Sequence, residues 1–544
     1  MKKTTWLAAG CAALVLVLAG CAAGVPSRPA AWSAPEVVVA PSSFSGVHGL
    51  AVDAKGRLLA ASVVGNALWE VDRQTGAARI MIPPPEGQAD DIAIGPKGEL
   101  AWTNYLMGMV RYRESDTAPI KVLAKDLPGI NSLDFDRRSG KLYASQVFLG
   151  DALWEIDVAG AAAPRLIAKD LGGFNGFEVG PDGMLYGPLW FKGQVARINP
   201  ANGQVTVINS EFKIPAAANL DGKGNLWVVD THTGELSKVE LASGRKTVMK
   251  KLKPAIDNLA ISPEGTIYVA NMADNSIEAF NPATGDVRLL TGGKLAVPAG
   301  VKIDGDNLWV ADIFSFRKVD ARTGAVTDIF RMQSSDMEYP FAVGVSPTHF
   351  ALTSWFTGSV QLVDRATLKT SAMIHGLKAP TDALPMPDGS VIYIELATGS
   401  VMRASGDKFA TRQPIAQGLA GPVQMVLGRD GALYVTEAAG KLTRVNLADG
   451  SKRTVAEGLA LPEGVAETPW GSFIVAETAA RRLTEIDPAS GSRRVVAENL
   501  PIGLPPGPGM PPPYVVTGVA VGADGIVYFT ADRNNALYRI RPGR

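Results

Sequence analysis

A short pattern that recurs twelve times along the chain constrains the fold more than any other feature of the sequence. Each copy has a polar or small residue, a short apolar run, a turn that usually contains Gly, and a second apolar run. The copies begin at His48, Asp90, Asn131, Asn175, Ala216, Asp257, Ala299, Phe341, Thr381, Val423, Glu463 and Thr517. They are about 40 to 44 residues apart, except where the Pro-rich insertion 501–516 lengthens the last interval. This period indicates a repeat architecture.

The rest of each repeat adds a third apolar run such as "NALWEVD" and a fourth such as "RTVAEGL", separated by a Gly turn. Four short strands per repeat predict the blades of an all-β propeller. A helical solenoid is excluded, because β-branched runs are broken by Gly turns about every eight to ten residues. Twelve blades in one ring would be unusually wide. We therefore predict two six-bladed propellers, at 43–295 and 296–544.

The two ends of the chain fit together in this scheme. The stretch "APEVVVAPS" from Ala34 is typical of a fourth strand, and the chain ends in "NNALYRIRPGR", typical of a third strand. Residues 35–42 are therefore expected to complete the last blade, which would remove an exposed sheet edge.

The first residues are typical of a targeting segment. Lys2 and Lys3 precede an apolar run, Leu7–Leu18, that is too short to span a bilayer comfortably. The run ends in Leu18-Ala19-Gly20-Cys21, which resembles a bacterial lipobox.

The lipobox resemblance implies a signal peptide at 1–20 and a lipidated Cys21 followed by a tether to residue 34. Ala22 rather than Asp after the Cys favours the outer membrane. We expect a protein anchored on the periplasmic face of the bacterial cell envelope. The alternative is a plain signal peptide with a chance Cys. Cys11 would leave with the signal, so an intramolecular disulfide is excluded.

Charge excludes one class of partner. Lys and Arg total 53 and Asp and Glu total 53, with no basic run. The chain therefore lacks the electrostatic footprint of a nucleic-acid-binding protein.

Three stretches carry a resemblance to known propellers: "FNGFEVGPDGMLYG" from Phe174, "GKGNLWVVD" from Gly222 and "DGALYVTE" from Asp430. They resemble the six-bladed propellers around gluconolactonase and senescence marker protein 30, NHL repeats, and the streptogramin (virginiamycin B) lyases. The resemblance covers nearly the whole chain after the tether. It is specific for the fold, because the matched residues mainly build blades.

Propeller geometry places the residues before each first strand in a ring at one channel mouth. Residues that follow the second strand form a wider ring on the same face, where small molecules find preformed concave walls. In the first half the inner ring is His48, Asp90, Asn131, Asn175, Ala216 and Asp257, and the outer ring includes Asn104, Gln146, Asp230, His232 and Asn271. Oxygen and imidazole donors of this kind can hold a divalent cation, namely calcium, magnesium, manganese or zinc.

The positions of these residues in the two rings predict their functional roles. Candidate metal ligands are Asn131, Asn175, Asp257 and Asp90; candidate acid–base residues are His48 and His232; candidate substrate-binding residues are Asn104, Asp230, Asn271 and Trp190. The lactonase resemblance implies a Glu in the first blade, an Asn before a Gly, and an Asp on the metal. Asn175-Gly176 matches, whereas His48 and Ala216 replace the Glu and the Asp.

The second half has a different ring. Its inner positions are mostly apolar or neutral, a poor metal cage, and we expect this half to support the first or to bind a neutral or cationic ligand. Acidic residues after its second strands are expected to fasten turns: Asp312, Glu395, Glu437, Glu477 and Asp532. The Pro-rich insertion enters a first strand, so it is expected at a channel mouth as a lid, a docking surface or a linker.

Two classes of function remain open. One is a metal-dependent hydrolase or lyase that acts on a small lactone or ester at the first mouth. The other is a non-catalytic propeller that binds a small ligand or an envelope protein. The sequence has no nucleophile elbow, zinc pair or phosphate loop to decide between them.

Overall fold

The computed structural model describes residues 26–507, 510 and 513–543. In these ranges, strands β1 to β48 form twelve four-stranded antiparallel sheets, accompanied by two 3-10 helices, Trp190–Lys192 and Asp407–Phe409. This confirms the prediction of an all-β chain of about twelve propeller blades. No helix in the same ranges is long and apolar enough to cross a membrane. The predicted signal and Cys21 lie outside the described residues.

Blades 1 to 6 follow one another in chain order, each running from its innermost to its outermost strand. Their strands are β2–β5 (Val47–Val52, Leu58–Ser62, Ala67–Val71, Ala78–Ile82), β6–β9 (Ile92–Ile94, Leu100–Asn104, Met109–Arg113, Lys121–Ala124), β10–β13 (Ile130–Phe135, Leu142–Gln146, Ala152–Ile156, Arg165–Lys169), β14–β17 (Glu178–Val179, Leu185–Leu189, Gln194–Ile198, Val205–Asn209), β18–β21 (Pro215–Leu220, Asn225–Asp230, Glu235–Glu240, Lys246–Lys251) and β22–β25 (Ile256–Ile261, Ile267–Asn271, Ser276–Phe280, Val287–Thr291).

Blades 7 to 12 repeat this arrangement, and β1 supplies the outermost strand of blade 12. Their strands are β26–β29 (Val301–Asp304, Asn307–Asp312, Ser315–Asp320, Val326–Arg331), β30–β33 (Ala342–Val345, His349–Ser354, Ser359–Asp364, Lys369–Ile374), β34–β37 (Pro380–Pro385, Val391–Glu395, Ser400–Ser405, Thr411–Ala416), β38–β41 (Pro422–Leu427, Leu433–Glu437, Lys441–Val445, Lys452–Glu457), β42–β45 (Pro462–Glu467, Phe473–Glu477, Arg482–Ile486, Arg493–Ala497) and β46–β48 with β1 (Val519–Val521, Val527–Ala531, Ala536–Ile540, Glu36–Val39).

Contacts between innermost strands close two rings. Strand β2 packs against β6 and also against β22, so blades 1 to 6 form one ring. Strand β26 packs against β30 and β46, so blades 7 to 12 form the other. Strand β1 pairs with β48 in antiparallel register, as the chain ends predicted, and Arg539 Nε donates to Glu36 Oε2 at 2.9 Å.

The turns between third and fourth strands show why the repeat keeps its Asp and Gly. Asp72 Oδ1 accepts the backbone N–H groups of Gln74 and Thr75 at 2.9 and 2.7 Å. Gly76 follows with φ of 75°, and a Cβ there would overlap the carbonyl oxygen of Leu290 in the neighbouring blade. Only Gly meets both conditions without strain.

The two propellers pack mouth to mouth. One hydrophobic cluster joins Val64 and Met272 of the first propeller to Phe314, Phe316 and Phe341 of the second. All of these except Phe316 lie in loops that enter a first strand or leave a second strand. The mouth predicted to carry the site is therefore covered by the corresponding mouth of the other ring.

Two buried arginines of blade 7 fasten this interface. Arg331 Nη2 lies 2.9 Å from Asp274 Oδ2 of blade 6, and Arg317 Nη2 lies 3.1 Å from Asp274 Oδ1. Arg331 also donates to the carbonyl oxygen of Pro254 at 2.9 Å. Burial alone would raise the pKa of Asp274, but hydrogen bonding and charge from Arg331 and Arg317 lower it to about 2. The ion pairs therefore hold a charged carboxylate between the propellers.

Candidate functional site

A cavity of about 250 Å³ lies between the two mouths. Its walls are mostly aromatic and aliphatic, with few polar groups. The first propeller contributes His48, Val63, Val64, Tyr105, Leu106, Asn131, Phe148 and Leu149, and the second contributes Ile313, Phe314, Tyr339, Phe341, Trp355, Phe356 and Tyr514. An apolar cavity with a few convergent polar groups is typical of a small-molecule site.

His48 is the basic side chain of this cavity. It is buried on β2, and its ring packs edge-to-face on Phe314 at 5.4 Å. Nδ1 lies 2.9 Å from the carbonyl oxygen of Gly46. Because a carbonyl oxygen only accepts, Nδ1 carries the proton, and Nε2 of the neutral ring is an acceptor. Nε2 has no hydrogen-bond partner among the described residues, and His48 lines the cavity, which suits a general base.

Two carboxyl groups lie close to this histidine. Asp90 precedes β6 and Asp257 lies on β22; both side chains are half-buried, and neither is among the described residues that line the cavity. Burial raises the pKa of Asp90 well above its usual range, and the Asp257 carboxyl raises it further. Burial also raises the pKa of Asp257, although His48 lowers it when the imidazole is protonated. A carboxyl group whose pKa is raised by burial can serve as a general acid.

Tyr339 of the second propeller completes this group. Burial, together with the charges of Asp257 and Asp90, raises the pKa of its hydroxyl to about 12. The hydroxyl therefore stays protonated and can donate a hydrogen bond into the cavity. The site thus takes its base from one propeller and a neutral donor from the other.

The structure brings Asn131 and Asn175 together, but on a neighbouring side chain. Oδ1 of Asn175 and Oδ1 of Asn131 lie 2.9 and 3.0 Å from the hydroxyl of Ser132, which can donate to either. The same hydroxyl accepts the Gly176 N–H at 2.7 Å. Asn131 also lines the cavity.

These residues do not fit a divalent cation. Within the described ranges, no group of three or more His, Cys, Asp or Glu side chains could hold a metal ion. Of the four predicted ligands, two are carboxyl groups that burial favours in the neutral form, and two are amides bonded to Ser132. Metal ligands must be deprotonated and free to coordinate. We therefore derive no chemical step through a metal.

The outer-ring residues mainly hold loops in place through hydrogen bonds. Asp230 accepts the backbone N–H of Lys213 at 2.7 Å, which fixes the loop that enters its own blade. The acids expected to fasten turns in the second propeller make the same bond: Asp312 with Ala296, Glu395 with Lys378, Glu437 with Ala420, Glu477 with Ala460 and Asp532 with Gly503. An acid at this position therefore has a structural reason.

The remaining predicted residues lie outside the described lining of the cavity. Asn104 Oδ1 accepts the Met107 N–H at 3.2 Å, and Asn271 Oδ1 accepts from Arg331 at 3.0 Å. His232 is exposed, with Nδ1 2.6 Å from the carbonyl oxygen of Gln333. Trp190 packs edge-to-face on Phe148 at 5.3 Å, behind the wall. None of the four is among the described lining residues.

Backbone strain marks the cavity independently. Phe148, Ile313 and Tyr339 have φ values of 69°, 25° and 39°, in the region that favours glycine. Such conformations are unusual for bulky and β-branched residues, and they gather at ligand sites where the surrounding structure enforces them. None of the three positions is a Gly or Asn that would signal the conformation in the sequence.

Sequence reasoning missed the aromatic wall of the second propeller. Its one signal was the mostly apolar or neutral inner ring of the second half, which includes Phe341. The Pro-rich insertion contributes as well, since Tyr514 lines the cavity and its carbonyl oxygen accepts from Trp355 Nε1 at 3.3 Å. Gly507 approaches Asn66 of the first propeller. The insertion therefore bridges the two rings at the cavity, as expected for a segment at a channel mouth.

Comparison with known proteins gives structural neighbours only. No protein-family model matches the sequence, and no curated protein matches it. Among solved structures, a streptogramin B lyase is 16% identical over 60% of this chain and 93% of its own, with a TM-score of 0.27. A virginiamycin B lyase from Staphylococcus aureus is 14% identical over 60% of this chain and 94% of its own, with a TM-score of 0.26. At such TM-scores the likeness supports no inference, and the all-β propeller fold rests on the strand pairing of the chain itself.

Proposed function

We propose that this chain binds a small, largely apolar molecule between the two propeller mouths and transforms it by acid–base chemistry, as a hydrolase or lyase of an ester- or lactone-type substrate. One observation carries the proposal: His48, whose Nε2 has no hydrogen-bond partner among the described residues, lines an aromatic cavity and lies near two carboxyl groups whose pKa is raised. Two titratable environments that differ in this way are typical of a general base and a general acid.

In the hydrolytic form, His48 Nε2 accepts a proton from water as the water oxygen bonds to the substrate carbonyl carbon. The bond from that carbon to the leaving oxygen then breaks, and Asp257 or Asp90 donates the proton that the leaving oxygen needs. The Tyr339 hydroxyl and the Asn131 amide can donate to the substrate oxygen. The aromatic walls exclude bulk water and orient the apolar part of the substrate.

The test is turnover of a panel of lactones and aryl esters, including dihydrocoumarin and p-nitrophenyl acetate, by residues 22–544. We expect His48→Gln and Asp257→Asn to lower kcat by at least about 100-fold, the usual loss when an acid or base is removed. His349→Gln is the matched control, since His349 lies on β31 outside the described cavity lining. Full turnover by His48→Gln would refute the proposal.

Metal dependence has its own test. Because the donors do not fit a cation, we expect a chelator to leave the Tm and the turnover unchanged. A cation at a hundred times its Kd would add about 2.7 kcal/mol to the free energy of unfolding, which a thermal melt resolves. A saturable rise in Tm with calcium, magnesium, manganese or zinc that is lost in Asp257→Ala would instead support a metal-dependent hydrolase or lyase.

A second candidate is a binding propeller without catalysis. The aromatic wall favours it, because stacking on Trp355, Phe341 and Tyr339 requires no acid–base pair. Binding of panel compounds, followed by tryptophan fluorescence, without turnover by the wild-type chain would decide for this candidate. For both candidates we propose that lipidated Cys21 anchors the protein on the periplasmic face of the cell envelope, most simply at the outer membrane.

A further inference from the structure

The channel ends remote from the cavity differ sharply between the two propellers. In the first, the far mouth is a narrow space of about 120 Å³ whose lining includes Asp91, Asp134, Glu178 and Asn219. In the second, the far mouth is a funnel of about 800 Å³. Its wall includes Val345, Leu384, Met386, Val426, Leu427 and Val521.

The contrast falls at matching positions of the repeat. The third residue after the start of a copy is Asp134, Glu178 or Asn219 in blades 3 to 5, and it is Leu384, Val426 or Ala466 in blades 9 to 11. The polar set is hydrogen-bonded within the protein. The apolar set at a wide opening marks a surface that contacts another apolar body.

The charges at the funnel already have protein partners. Arg365 pairs with Asp304 and stacks over the ring of Phe350 at 5.0 Å, and Lys302 Nζ lies 3.4 Å from the carbonyl oxygen of Met425. Leu427, in contrast, keeps 38% of its surface exposed. The funnel therefore offers hydrocarbon contact rather than an ionic site.

The N-terminal segment reaches this same mouth. Pro26 lines a shallow depression together with Glu467 and Val521, and both of these residues also line the funnel. The segment is fastened to blade 11, since Arg28 Nε lies 2.8 Å from Glu485 and Trp32 packs on Trp470 at 5.8 Å. The chain before Pro26 therefore starts from the rim of the funnel.

Chain length then fixes the orientation. Four residues, 22–25, separate Cys21 from Pro26, and the five Cα–Cα steps between the two span at most about 18 Å when fully extended. We propose that the far mouth of the second propeller faces the bilayer and that its funnel holds an acyl chain of a membrane lipid. The proposal rests on lipidation of Cys21 and is independent of the catalytic one. The cavity between the propellers then lies on the side away from the membrane.

The sequence permits a direct test. Its two Cys are Cys11 and Cys21, so Leu427→Cys places the sole free thiol of the mature, lipidated protein in the funnel. The thiol is labelled with an NBD fluorophore, and the protein is reconstituted into phosphatidylethanolamine–phosphatidylglycerol vesicles with brominated acyl chains. We expect several-fold stronger quenching than for Leu289→Cys, which is 62% exposed on the outermost strand of blade 6. Equal quenching at both sites would overturn the proposal.

Two controls separate its parts. Met386→Cys labels a second funnel residue. Its NBD quenching is compared with that of Leu289→Cys if thermal melts show that labelled Leu427→Cys does not fold. Cys21→Ser tests the anchor: we expect the wild-type chain in the membrane fraction and the variant in the soluble fraction. A soluble wild-type chain would overturn the anchor and this orientation, while turnover at the other mouth would be unaffected.

Discussion

Buried carboxyl side chains on innermost strands accept a backbone N–H from the next blade. Asp134 accepts from Val179 at 2.7 Å, Glu178 from Leu220 at 2.7 Å and Glu463 from Thr517 at 2.6 Å. Neighbouring blades share no strand ladder, so these bonds satisfy N–H groups that would otherwise be unpaired. The desolvation is costly for a charged group, and burial raises the pKa of Asp134 and of Glu463 to about 8.

Glu463 predicts a pH dependence of stability. Its pKa is higher in the folded state than in the unfolded state, so between about pH 4.5 and pH 8 the unfolded chain binds fewer protons and the free energy of unfolding falls as pH rises. Each unit of difference is worth about 1.4 kcal/mol. Glu463→Gln keeps an acceptor for Thr517 and should flatten this fall, as measured by urea unfolding at pH 5 and 8.5. Glu457→Gln, at an exposed position, should keep the wild-type slope; an unchanged slope in Glu463→Gln would contradict the assignment.

Sequence reasoning reached the site only in part. The repeat register placed His48, Asp90, Asn131 and Asp257 at one mouth, because strand alternation fixes which end of the channel a residue occupies. It did not predict that Ser132 would engage Asn131 and Asn175, since a hydroxyl that bridges two blades leaves no local pattern. The strained backbone of Ile313 was equally invisible, because contacts across the interface enforce it.

At the scale of elements, the closing strand β1 offers a matched pair of positions. Val39 is buried at 2% exposure opposite Leu537, whereas Val37 on the same strand is 52% exposed. Val39→Asp should place an unpaired charge in the core of blade 12 and lower the free energy of unfolding by several kcal/mol. Val37→Asp should change it by less than about 0.5 kcal/mol. Chemical denaturation of both variants checks this, and similar losses would mean that β1 does not close the ring.

The blades themselves were predictable because their information is local. Asp72 and Gly76 specify a turn within five residues, and the period of the copies specifies four strands between turns. Closure through β1 also followed from the sequence, since a lone fourth strand at one end and a missing one at the other have a single pairing that removes both edges. Contacts between the two propellers have no such local signal in the sequence.

At the scale of the whole molecule, the proposed function depends on how the two propellers face each other. The first propeller supplies His48 and Asn131 to the cavity, and the second supplies most of its aromatic wall, including Tyr339. Neither mouth alone encloses a cavity with both properties. Ala299 and Phe341, at inner positions of the second propeller that form a poor metal cage, belong to the hydrophobic cluster that covers the first mouth.

The ion pairs of Arg331 and Arg317 with Asp274 predict how strongly the two propellers are coupled. Arg331→Met would leave the buried Asp274 with only part of its counter-charge and the Pro254 carbonyl oxygen without its donor. Removing one partner of a buried ion pair costs roughly 3–5 kcal/mol. We expect one calorimetric transition for the wild-type chain and two for Arg331→Met, because the interface then separates before either propeller unfolds.

The matched control for Arg331→Met is Arg245→Met, which removes an exposed pair with Glu240 and should leave the transition unsplit. Acidification should split the transition in the same way as Arg331→Met. Because the pKa of Asp274 is about 2 when folded and near 3.8 when unfolded, its contribution is complete above about pH 4 and is lost as pH falls toward 2. A wild-type transition that splits on acidification, and an Arg331→Met variant already split at neutral pH, would show that Asp274 holds the two mouths together. One unsplit transition in the variant would mean that the apolar interface around Phe314 and Phe341 suffices, and the cavity would then survive without its charges.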